Sequence, residues 1–301
     1  MNAPAELQVK ADLNRLVPLL EARFLLPFAQ GEAPALALAM TYSLQAGGKR
    51  IRPVLCMLAA EAVGGRAEAA LTCAMALEFV HTYSLIHDDL PAMDDDDLRR
   101  GKPTCHVAFG EGPAILAGDG LLTEAFTLLA SDTELPPSRR VEALRVLGDA
   151  AGWRGMVGGQ ALDLEGEART RAGEHVGLTE LQTIHRLKTG ALLRAALELG
   201  GIAGNAQVED RALLRAAGET LGLAFQIQDD ILDATATEEA MGKRVGKDEG
   251  KGKITYPLLL GLTGARKALQ EATERAQCQL RSLPKPHSLM ALATYLAGRG
   301  A

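Results

Sequence analysis

The sequence contains few aromatic residues and few cysteines, and each shortage argues against a class of protein. Aromatic residues make up 4% of the chain, and its four cysteines are far apart, without a CxxC pair. They are Cys56, Cys73, Cys105 and Cys278. This spacing favours neither a disulfide framework nor a structural zinc site. We predict small buried cysteines in a reducing cytoplasm.

An excess of basic charge and long apolar runs are also lacking. The chain has 32 Lys and Arg against 38 Asp and Glu, for a net charge of −6, so overall charge does not indicate a nucleic-acid-binding protein. The N-terminus has no apolar segment typical of a signal peptide, and no run of about 18 apolar residues suggests a membrane span. We therefore expect a cytoplasmic protein that holds any anionic ligand with local clusters of basic residues.

What the chain does have is Ala, Leu and Gly in abundance, with 47% hydrophobic residues and little apolar–polar alternation. This composition favours an all-α fold with a large core. Glycines and prolines divide the chain into about ten helices. The predicted breaks lie at residues 47–48, 64–65, 110–113, 136–137, 166–177, 200–205, 240–252 and 284–286. Because no linker interrupts this pattern, we predict a single domain over residues 1–301.

Local signals predict how three of the helices begin. Thr179 and Gln182 have the spacing of a capping box, Ser138 follows two prolines as a candidate N-cap, and Pro113 suits a first helical turn.

The strongest chemical signal is an acidic cluster, DDLPAMDDDD, at residues 88–97. Six carboxylates so close together repel one another unless cations are present, although a solvated acidic turn is the simpler alternative. The cluster follows an apolar helix, which favours a structured site. Because Pro91 disfavours continued helix, Asp94 is predicted to turn back toward Asp88.

A second acidic cluster contains Asp229, Asp230 and Asp233. The four-residue spacing places Asp229 and Asp233 one turn apart on one face of an otherwise apolar helix. Carboxylates on two apolar helices favour a hard cation between them, and ligands that are all oxygen atoms select Mg²⁺ or Mn²⁺. Since Mg²⁺ completes its coordination with water and phosphate oxygens, the clusters predict a phosphorylated substrate.

Basic residues near these clusters indicate the same kind of ligand. They occur in GGKRIR at residues 47–52, in the pair Arg99 and Arg100, in Lys188-Thr189-Gly190, and between Lys243 and Lys253. Each group alone is typical of a solvated surface. Together with two acidic clusters they favour binding of phosphate groups.

A different metal site is also conceivable at Glu78 and His81. Their Glu-x-x-His spacing is that of di-iron helical bundles, but such sites need a second copy, which the chain lacks. His81 lies on nearly the same helical stripe as Asp88. It is either a core histidine or a contact to a substrate oxygen.

Both acidic clusters, GGKRIRP, Arg99-Arg100, GGQALDL, LKTG and FQIQDDILD together resemble the short-chain trans-polyprenyl diphosphate synthases, specifically the bacterial farnesyl diphosphate synthase type. The resemblance implies an isoprenoid synthase-like helical bundle around a deep central cavity, and a homodimer. It also implies Mg²⁺-dependent head-to-tail condensation of isopentenyl diphosphate with dimethylallyl or geranyl diphosphate, with three Mg²⁺ per active site and Mn²⁺ as a possible substitute.

The resemblance further implies residue roles. Asp88 and Asp94 would bind Mg²⁺ ions, with Asp89 in support, and Asp229 would hold a further Mg²⁺ with help from Asp230 and Asp233. The allylic diphosphate would be bound by Arg99, Lys188, Gln226 and Lys243, and isopentenyl diphosphate by Lys49, Arg52, His81 and Arg100, with Lys253 as a further diphosphate contact. Thr189 and the Lys188 carbonyl would stabilise the allylic cation, and Gln160 and Asp163 would brace the site. The catalytic set would be Asp88, Asp94, Arg99, Lys188, Thr189, Asp229 and Lys243.

Product length would be limited by Tyr83, five positions before the first Asp, and by the Pro91-Ala92 insertion. A helical wheel places Ser84 nearer than Tyr83 to the face of Asp88, so the role of Tyr83 rests on the resemblance, and ordinary core packing is the alternative.

Other functions remain open on the sequence alone. A geranylgeranyl diphosphate synthase would share most of these motifs. A non-catalytic prenyl-diphosphate-binding subunit would not need the complete second cluster and its lysines. A ring-forming terpene synthase would not need a second diphosphate site such as GGKRIRP.

Overall fold

The computed structural model describes residues 3–29, 31–235 and 254–298, which are mostly helical and confirm the all-α prediction. The helices are α1 (Ala3–Glu21), α2 (Pro34–Leu44), α3 (Ile51–Ala62), α4 (Leu71–Asp88), α5 (Cys105–Phe109), α6 (Glu111–Ser131), α7 (Pro137–Ala151), α8 (Met156–Arg171), α9 (Leu178–His185), α10 (Ala191–Ala203), α11 (Val208–Thr235), α12 (Tyr256–Arg281) and α13 (His287–Ala297). Short 3₁₀ turns span Leu26–Phe28 and Ala67–Ala70, and a π turn spans Arg186–Gly190. Strands β1 (Leu98–Arg99) and β2 (Lys102–Pro103) form a small antiparallel hairpin.

Helix α10 lies at the centre of the bundle. Nearly all of its residues are buried, and it packs against α3, α4, α7 and α11. The approach to α3 is close, because a Cβ at Gly200 would lie 2.1 Å from the carbonyl oxygen of Cys56. Helix α10 therefore packs against both helices that carry acidic clusters, α4 and α11.

Two segments in the described ranges, residues 67–88 and 111–131, are long and apolar enough to cross a membrane by length and composition alone. In the first, 72% of the most apolar window is buried, which is typical of a core helix. In the second, which is α6, only 33% is buried. By themselves these segments are weak signs of a membrane span.

Several helix boundaries differ from the sequence predictions. Helix α8 continues through Gly166 to Arg171, so the predicted break at 166–177 begins too early. Helix α7 begins at Pro137, so Ser138 lies inside its first turn instead of capping it. Pro113 does lie in the first turn of α6, as predicted.

The predicted capping box at α9 is displaced along the chain. The N-cap is Gly177, whose backbone N–H donates to the Glu180 carboxylate at 3.0 Å. Thr179 is therefore already helical. Glu180 thus satisfies the amide of Gly177, whereas the predicted box would have paired Gln182 with the amide of Thr179.

Three of the four cysteines are buried as predicted, and Cys278 is exposed. All four are free thiols.

Candidate active site

The first acidic cluster folds back on itself at the end of α4. The backbone N–H of Asp94 donates to the carbonyl oxygen of Asp88 at 2.8 Å, and that of Asp96 donates to the carbonyl oxygen of Asp89 at 3.2 Å. The return of Asp94 predicted from Pro91 is confirmed.

Asp88 is in an environment that disfavours its charged form. Burial raises the pKa of Asp88 to about 6, the positive charge of Lys188 opposes this shift, and the negative charge of Asp94 adds to it. A partly buried carboxylate close to others of the same sign would be stabilised by a cation. Because the charge of Lys188 acts on Asp88, the end of α4 must lie near the π turn.

Asp89 is held by the β1–β2 hairpin. The Arg99 guanidinium donates to both carboxylate oxygens of Asp89, with Nε at 2.7 and 2.8 Å. Burial raises the pKa of Asp89, and the hydrogen bonds from Arg99 oppose that shift. Arg99, predicted to bind the allylic diphosphate, is thus paired with a carboxylate of the first cluster.

The π turn carries Lys188 and Thr189, which bond to two different helices. Lys188 Nζ lies 2.6 Å from a carboxylate oxygen of Asp163 on α8. Thr189 Oγ1 donates to Gln226 Oε1 on α11 at 2.8 Å. Asp163, for which the resemblance implies a bracing role, is thus paired with Lys188. π turns often occur at functional sites. This one bonds to α8 and α11, and the charge of Lys188 acts on Asp88 at the end of α4.

Glycines allow this turn to fit tightly between its neighbours. A Cβ at Gly159 would lie 2.1 Å from the backbone nitrogen of Lys188, and one at Gly222 would lie 2.5 Å from the Cα of Gly190. Gly159 belongs to the GGQALDL motif. The absence of a side chain at this glycine lets α8 approach the π turn closely. The side-chain oxygen of Gln160 is buried and has no hydrogen-bond partner in the described part of the chain.

Helix α11 presents the second cluster with its members in different environments. Asp229 and Asp233 are partly buried, whereas Asp230 is almost fully buried. Gln226, one turn before Asp230, contacts both Thr189 and Asp230. The second cluster is therefore linked through Gln226 to the π turn.

The residues predicted to bind isopentenyl diphosphate come together at the start of α3. Arg52 Nη1 donates to His81 Nε2 at 3.2 Å, and Arg100 donates to the carbonyl oxygen of Gly47. Gly48, with a φ of 129°, lies directly below the Arg100 guanidinium, where a Cβ would be 2.5 Å from Nη1. Lys49, in the same loop, is exposed.

Arg50, between these residues, has a structural role that the sequence prediction did not assign. It is buried with a φ of 50°, and Nη1 lies 2.6 Å from Glu78 on α4. Its Nε also lies 3.2 Å from Glu21, and its guanidinium lies over the Phe24 ring. Because Glu78 neutralises Arg50, the alternative di-iron site at Glu78 and His81 is not supported.

His81 gives a prediction about pH. Burial lowers the pKa of His81 well below its usual value, and the charges of Arg52 and Arg100 lower it further. The unfolded chain, with an ordinary histidine pKa of about 6.5, takes up a proton that the folded protein does not. The contribution of His81 to stability is therefore present above that pH and is lost as pH falls.

We expect the free energy of unfolding of the wild type to decrease more steeply between about pH 7 and pH 5 than that of a His81→Asn variant. Urea unfolding at each pH measures both curves. Parallel curves would contradict a neutral His81 in the folded protein.

The two residues associated with product length lie side by side on α4 but differ in exposure. Tyr83 is 5% exposed, and its ring meets the His87 ring edge-on at 5.7 Å. Burial raises the pKa of Tyr83 to about 12, and its hydroxyl has no hydrogen-bond partner among the described residues. Ser84 is partly buried and donates to the carbonyl oxygen of His81.

The donor set fits a hard divalent cation that is shared with a ligand. Within the described ranges, no group of three or more His, Cys, Asp or Glu side chains is arranged to enclose a metal by itself. Mg²⁺ usually takes one or two carboxylates and fills its other positions with water and phosphate oxygens. Carboxylates at the ends of separate elements are therefore the expected arrangement. Lys243 and Lys253 lie outside the described residues.

Comparison with known proteins identifies the family. The family of polyprenyl synthetases matches residues 33–285. Farnesyl diphosphate synthase from Geobacillus stearothermophilus is 49% identical over 281 residues, covering 92% of this chain and 93% of that protein. Farnesyl diphosphate synthase from Escherichia coli (strain K12) is 46% identical over 286 residues, covering 92% and 93%.

A solved structure shows the same architecture. The crystal structure of geranylgeranyl pyrophosphate synthetase from Pyrococcus horikoshii superimposes with a TM-score of 0.88 at 32% identity, covering 98% of this chain and 99% of that one. This similarity confirms the predicted fold class. The chain therefore belongs to the polyprenyl synthetase family.

Proposed function

We propose that this protein is a prenyltransferase that condenses isopentenyl diphosphate head-to-tail with dimethylallyl and then geranyl diphosphate to give farnesyl diphosphate. Its similarity to two bacterial farnesyl diphosphate synthases supports this product. The observation that carries the proposal is the π turn, whose Lys188 interacts electrostatically with Asp88 on α4 and whose Thr189 bonds to Gln226 on α11. The π turn thus lies near the acidic clusters of both α4 and α11, and Lys188 gives it a positive charge.

In this proposal the diphosphate of the allylic substrate binds near Lys188, Arg99 and Gln226. Lys243 and Lys253, which lie outside the described residues, are proposed to contact the diphosphate as well. Metal ions would be held by Asp88 and Asp94 on one side, with Asp89 in support, and by Asp229 on the other, with help from Asp230 and Asp233. When bound, Mg²⁺ supplies positive charge that makes the diphosphate a better leaving group. Lys188 and Arg99 add fixed positive charge where negative charge develops.

Isopentenyl diphosphate binds separately, at Lys49, Arg52, His81 and Arg100. Arg52 and Arg100 supply the charge, and neutral His81 has a ring nitrogen available for hydrogen bonding. Such a site holds the alkene near the allylic carbon, so that the two substrates react in a fixed orientation.

The bond changes then follow in order. The bond between the allylic carbon and the diphosphate oxygen breaks, and Thr189 and the Lys188 carbonyl stabilise the allylic cation. The alkene of isopentenyl diphosphate attacks this cation and forms the new carbon–carbon bond. The released diphosphate takes the proton whose loss restores a double bond, so no protein base is needed. This sequence of steps requires an apolar cavity that keeps water from the cation.

We also propose that the protein is a cytoplasmic homodimer. Helix α6 is apolar, yet only a third of its most apolar window is buried, and Leu116 is 57% exposed. An apolar face of this kind favours a second copy as its partner. The free, mostly buried cysteines fit a reducing compartment.

The test is an assay of the purified protein with Mg²⁺, dimethylallyl diphosphate and labelled isopentenyl diphosphate, followed by phosphatase treatment and separation of the alcohols. We expect labelled farnesol, and none when Mg²⁺ is chelated. Recovery of the label only as isopentenol would contradict the proposal. Labelled geranylgeraniol as the main product would instead identify a geranylgeranyl diphosphate synthase.

Tyr83 is proposed to limit product length, together with Ser84 and the Pro91-Ala92 insertion. We expect Tyr83→Ala to shift the main product from farnesol to geranylgeraniol in the same assay, because it removes a buried ring from α4. Tyr295→Ala on α13 is the matched control and should leave product length unchanged. Farnesol from both variants would show that Tyr83 is ordinary core packing.

A further inference from the structure

A second pocket, which we call the arginine pocket, lies beside the π turn. Its charged lining residues are Arg154 in the loop before α8, Arg186 in the π turn, Arg194 on α10 and Glu219 on α11. It contains about 310 Å³ of space, part of it open to solvent. Within the described ranges, neither acidic cluster nor any residue proposed to bind a diphosphate lines it. The arginine pocket is therefore separate from the candidate active site.

The three guanidinium groups of the arginine pocket are only weakly neutralised. Arg186 is exposed and forms no ion pair with any described residue. Arg154 Nη2 lies 3.4 Å from a carboxylate oxygen of Asp149, and Arg194 Nη1 lies 3.8 Å from one of Glu219. Ion pairs that are long and exposed contribute little to stability. An incoming anion can therefore replace them at small cost.

Arg194 also has a donor that is not used. Its Nε is buried and has no hydrogen-bond partner in the part of the chain that the structure describes, although a carboxylate oxygen of Glu198 lies 3.2 Å away. A buried N–H group without an acceptor costs free energy. The Arg194 guanidinium therefore gains from turning toward an acceptor in the pocket.

The lining of the arginine pocket suits a phosphate group. Arginine binds phosphate oxygens through paired, charge-assisted hydrogen bonds, and here three arginines from separate segments face one space. Glu219 balances only one of their charges, so the pocket favours an anion with more than one negative charge. Its volume is at the lower end of the range for small-molecule sites, which suits a compact ligand.

The position of the arginines connects the pocket to the π turn. Arg186 is the first residue of the turn, Lys188 and Thr189 follow it, and Arg194 lies one helical turn after the last residue, Gly190. An anion held by both arginines therefore bridges the two ends of the segment that carries Lys188 and Thr189.

We propose that the arginine pocket is a second anion site, which binds a phosphate or diphosphate group without divalent ions and restrains the π turn when it is occupied. This inference goes beyond the proposed function, because the anion binds outside both substrate sites. Divalent ions are not needed, since the arginines themselves supply the positive charge. Inorganic phosphate and inorganic diphosphate share the chemistry that the pocket recognises, and the experiment distinguishes between them.

Trp153, the single tryptophan of the chain, reports on the pocket. It is 75% exposed, and the Arg154 guanidinium lies over its ring, 5.3 Å from the centroid. An anion that draws Arg154 into the pocket should change the fluorescence of Trp153. The full chain is titrated in EDTA with inorganic phosphate and, separately, with inorganic diphosphate, while NaCl keeps the ionic strength constant. We expect a saturable change, and the anion with the lower half-saturating concentration is the preferred ligand.

Four variants locate the binding site. Arg186→Gln and Arg194→Gln should each raise the half-saturating concentration at least about tenfold, which is the loss expected for one charge-assisted hydrogen bond. Arg171→Gln, at the far end of α8, removes an exposed arginine and is the matched control. Arg52→Gln removes a charge from the candidate active site. Both of these variants should titrate like the wild type. If Arg194→Gln fails to fold, the exposed Arg186 still decides the test.

Hydrogen–deuterium exchange tests the restraint on the π turn. At a saturating concentration of the preferred anion, exchange of the backbone amides in residues 186–194 should slow at least about twofold in the wild type, because a bridged segment opens less often. Exchange in Arg186→Gln at the same concentration should slow less. Unchanged exchange in the saturated wild type would overturn the proposed restraint.

Three results would overturn the anion site itself. They are a fluorescence change that does not saturate, an equal half-saturating concentration in the wild type and Arg186→Gln, and loss of the response in Arg52→Gln, which would place the anion in the active site. All of these measurements are made without Mg²⁺ and without turnover. A protein that transfers no prenyl group would therefore contradict the proposed function and still allow this inference to be decided.

Discussion

Asp88→Asn and Asp229→Asn are each expected to lower kcat/KM for prenyl transfer by at least about 1,000-fold, or about 4 kcal/mol of transition-state stabilisation. Each change removes a carboxylate proposed to hold the divalent ions that neutralise the departing diphosphate. The measurement is steady-state turnover with labelled isopentenyl diphosphate at saturating Mg²⁺. Folding should be intact, because neutral Asn removes a charge that burial already disfavours at Asp88.

The acidic loop itself offers a matched control. Asp95 is exposed and has a φ of 54°, a conformation that asparagine tolerates well. Asp95→Asn makes the same chemical change seven residues after Asp88 and should leave turnover within about twofold of the wild type. An equal loss in Asp95→Asn would mean that turnover depends on the total charge of the cluster and not on individual metal-binding positions.

Glu78→Ala is expected to have the largest effect on stability. Glu78 and Arg50 form an ion pair whose side chains are 3% and 2% exposed. Removing Glu78 leaves the buried guanidinium with only the half-exposed Glu21 as a counter-ion, which costs about 3 kcal/mol. Arg50 is the N-cap residue of α3 and has a left-handed backbone conformation, so the segment that carries Lys49 and Arg52 should loosen as well. Urea unfolding measures the loss, and the KM for isopentenyl diphosphate should rise.

The control for this change is Glu61→Ala. Glu61 also pairs with an arginine, Arg15, but the two side chains are 30% and 45% exposed. Exposed pairs contribute little, so this variant should lose no more than about 1 kcal/mol. Similar losses of unfolding free energy in Glu61→Ala and Glu78→Ala would show that burial does not increase the contribution of the Arg50–Glu78 pair to stability.

Local signals in the sequence were sufficient for the fold class and for part of the site. The all-α fold follows from composition, and the return of Asp94 toward Asp88 follows from the restriction that Pro91 places on the residue before it. The capping pattern near α9 was placed slightly wrongly, because Glu180 and Gln182 could both reach back to an N-cap and only packing decides between them.

Pairings between distant segments could not be predicted in the same way. The sequence places Lys49, Arg50 and Arg52 in one basic run, and nothing local shows that Arg50 turns inward to meet Glu78. Likewise, Arg99 and Asp89 belong to motifs predicted to bind separate ligands, and their contact depends on the β1–β2 hairpin. Such pairings depend on which side chains are enclosed when distant segments pack together in the folded core.

In the proposed mechanism, the two acidic helices share divalent ions through a diphosphate. Anomalous scattering from Mn²⁺ in crystals grown with inorganic diphosphate would locate these ions directly. We expect ions within about 2 Å of carboxylate oxygens of Asp88 and Asp94 on one side and of Asp229 on the other, bridged by diphosphate oxygens. Ions bound at only one cluster, or at sites that no diphosphate can bridge, would show that the two helices do not share them.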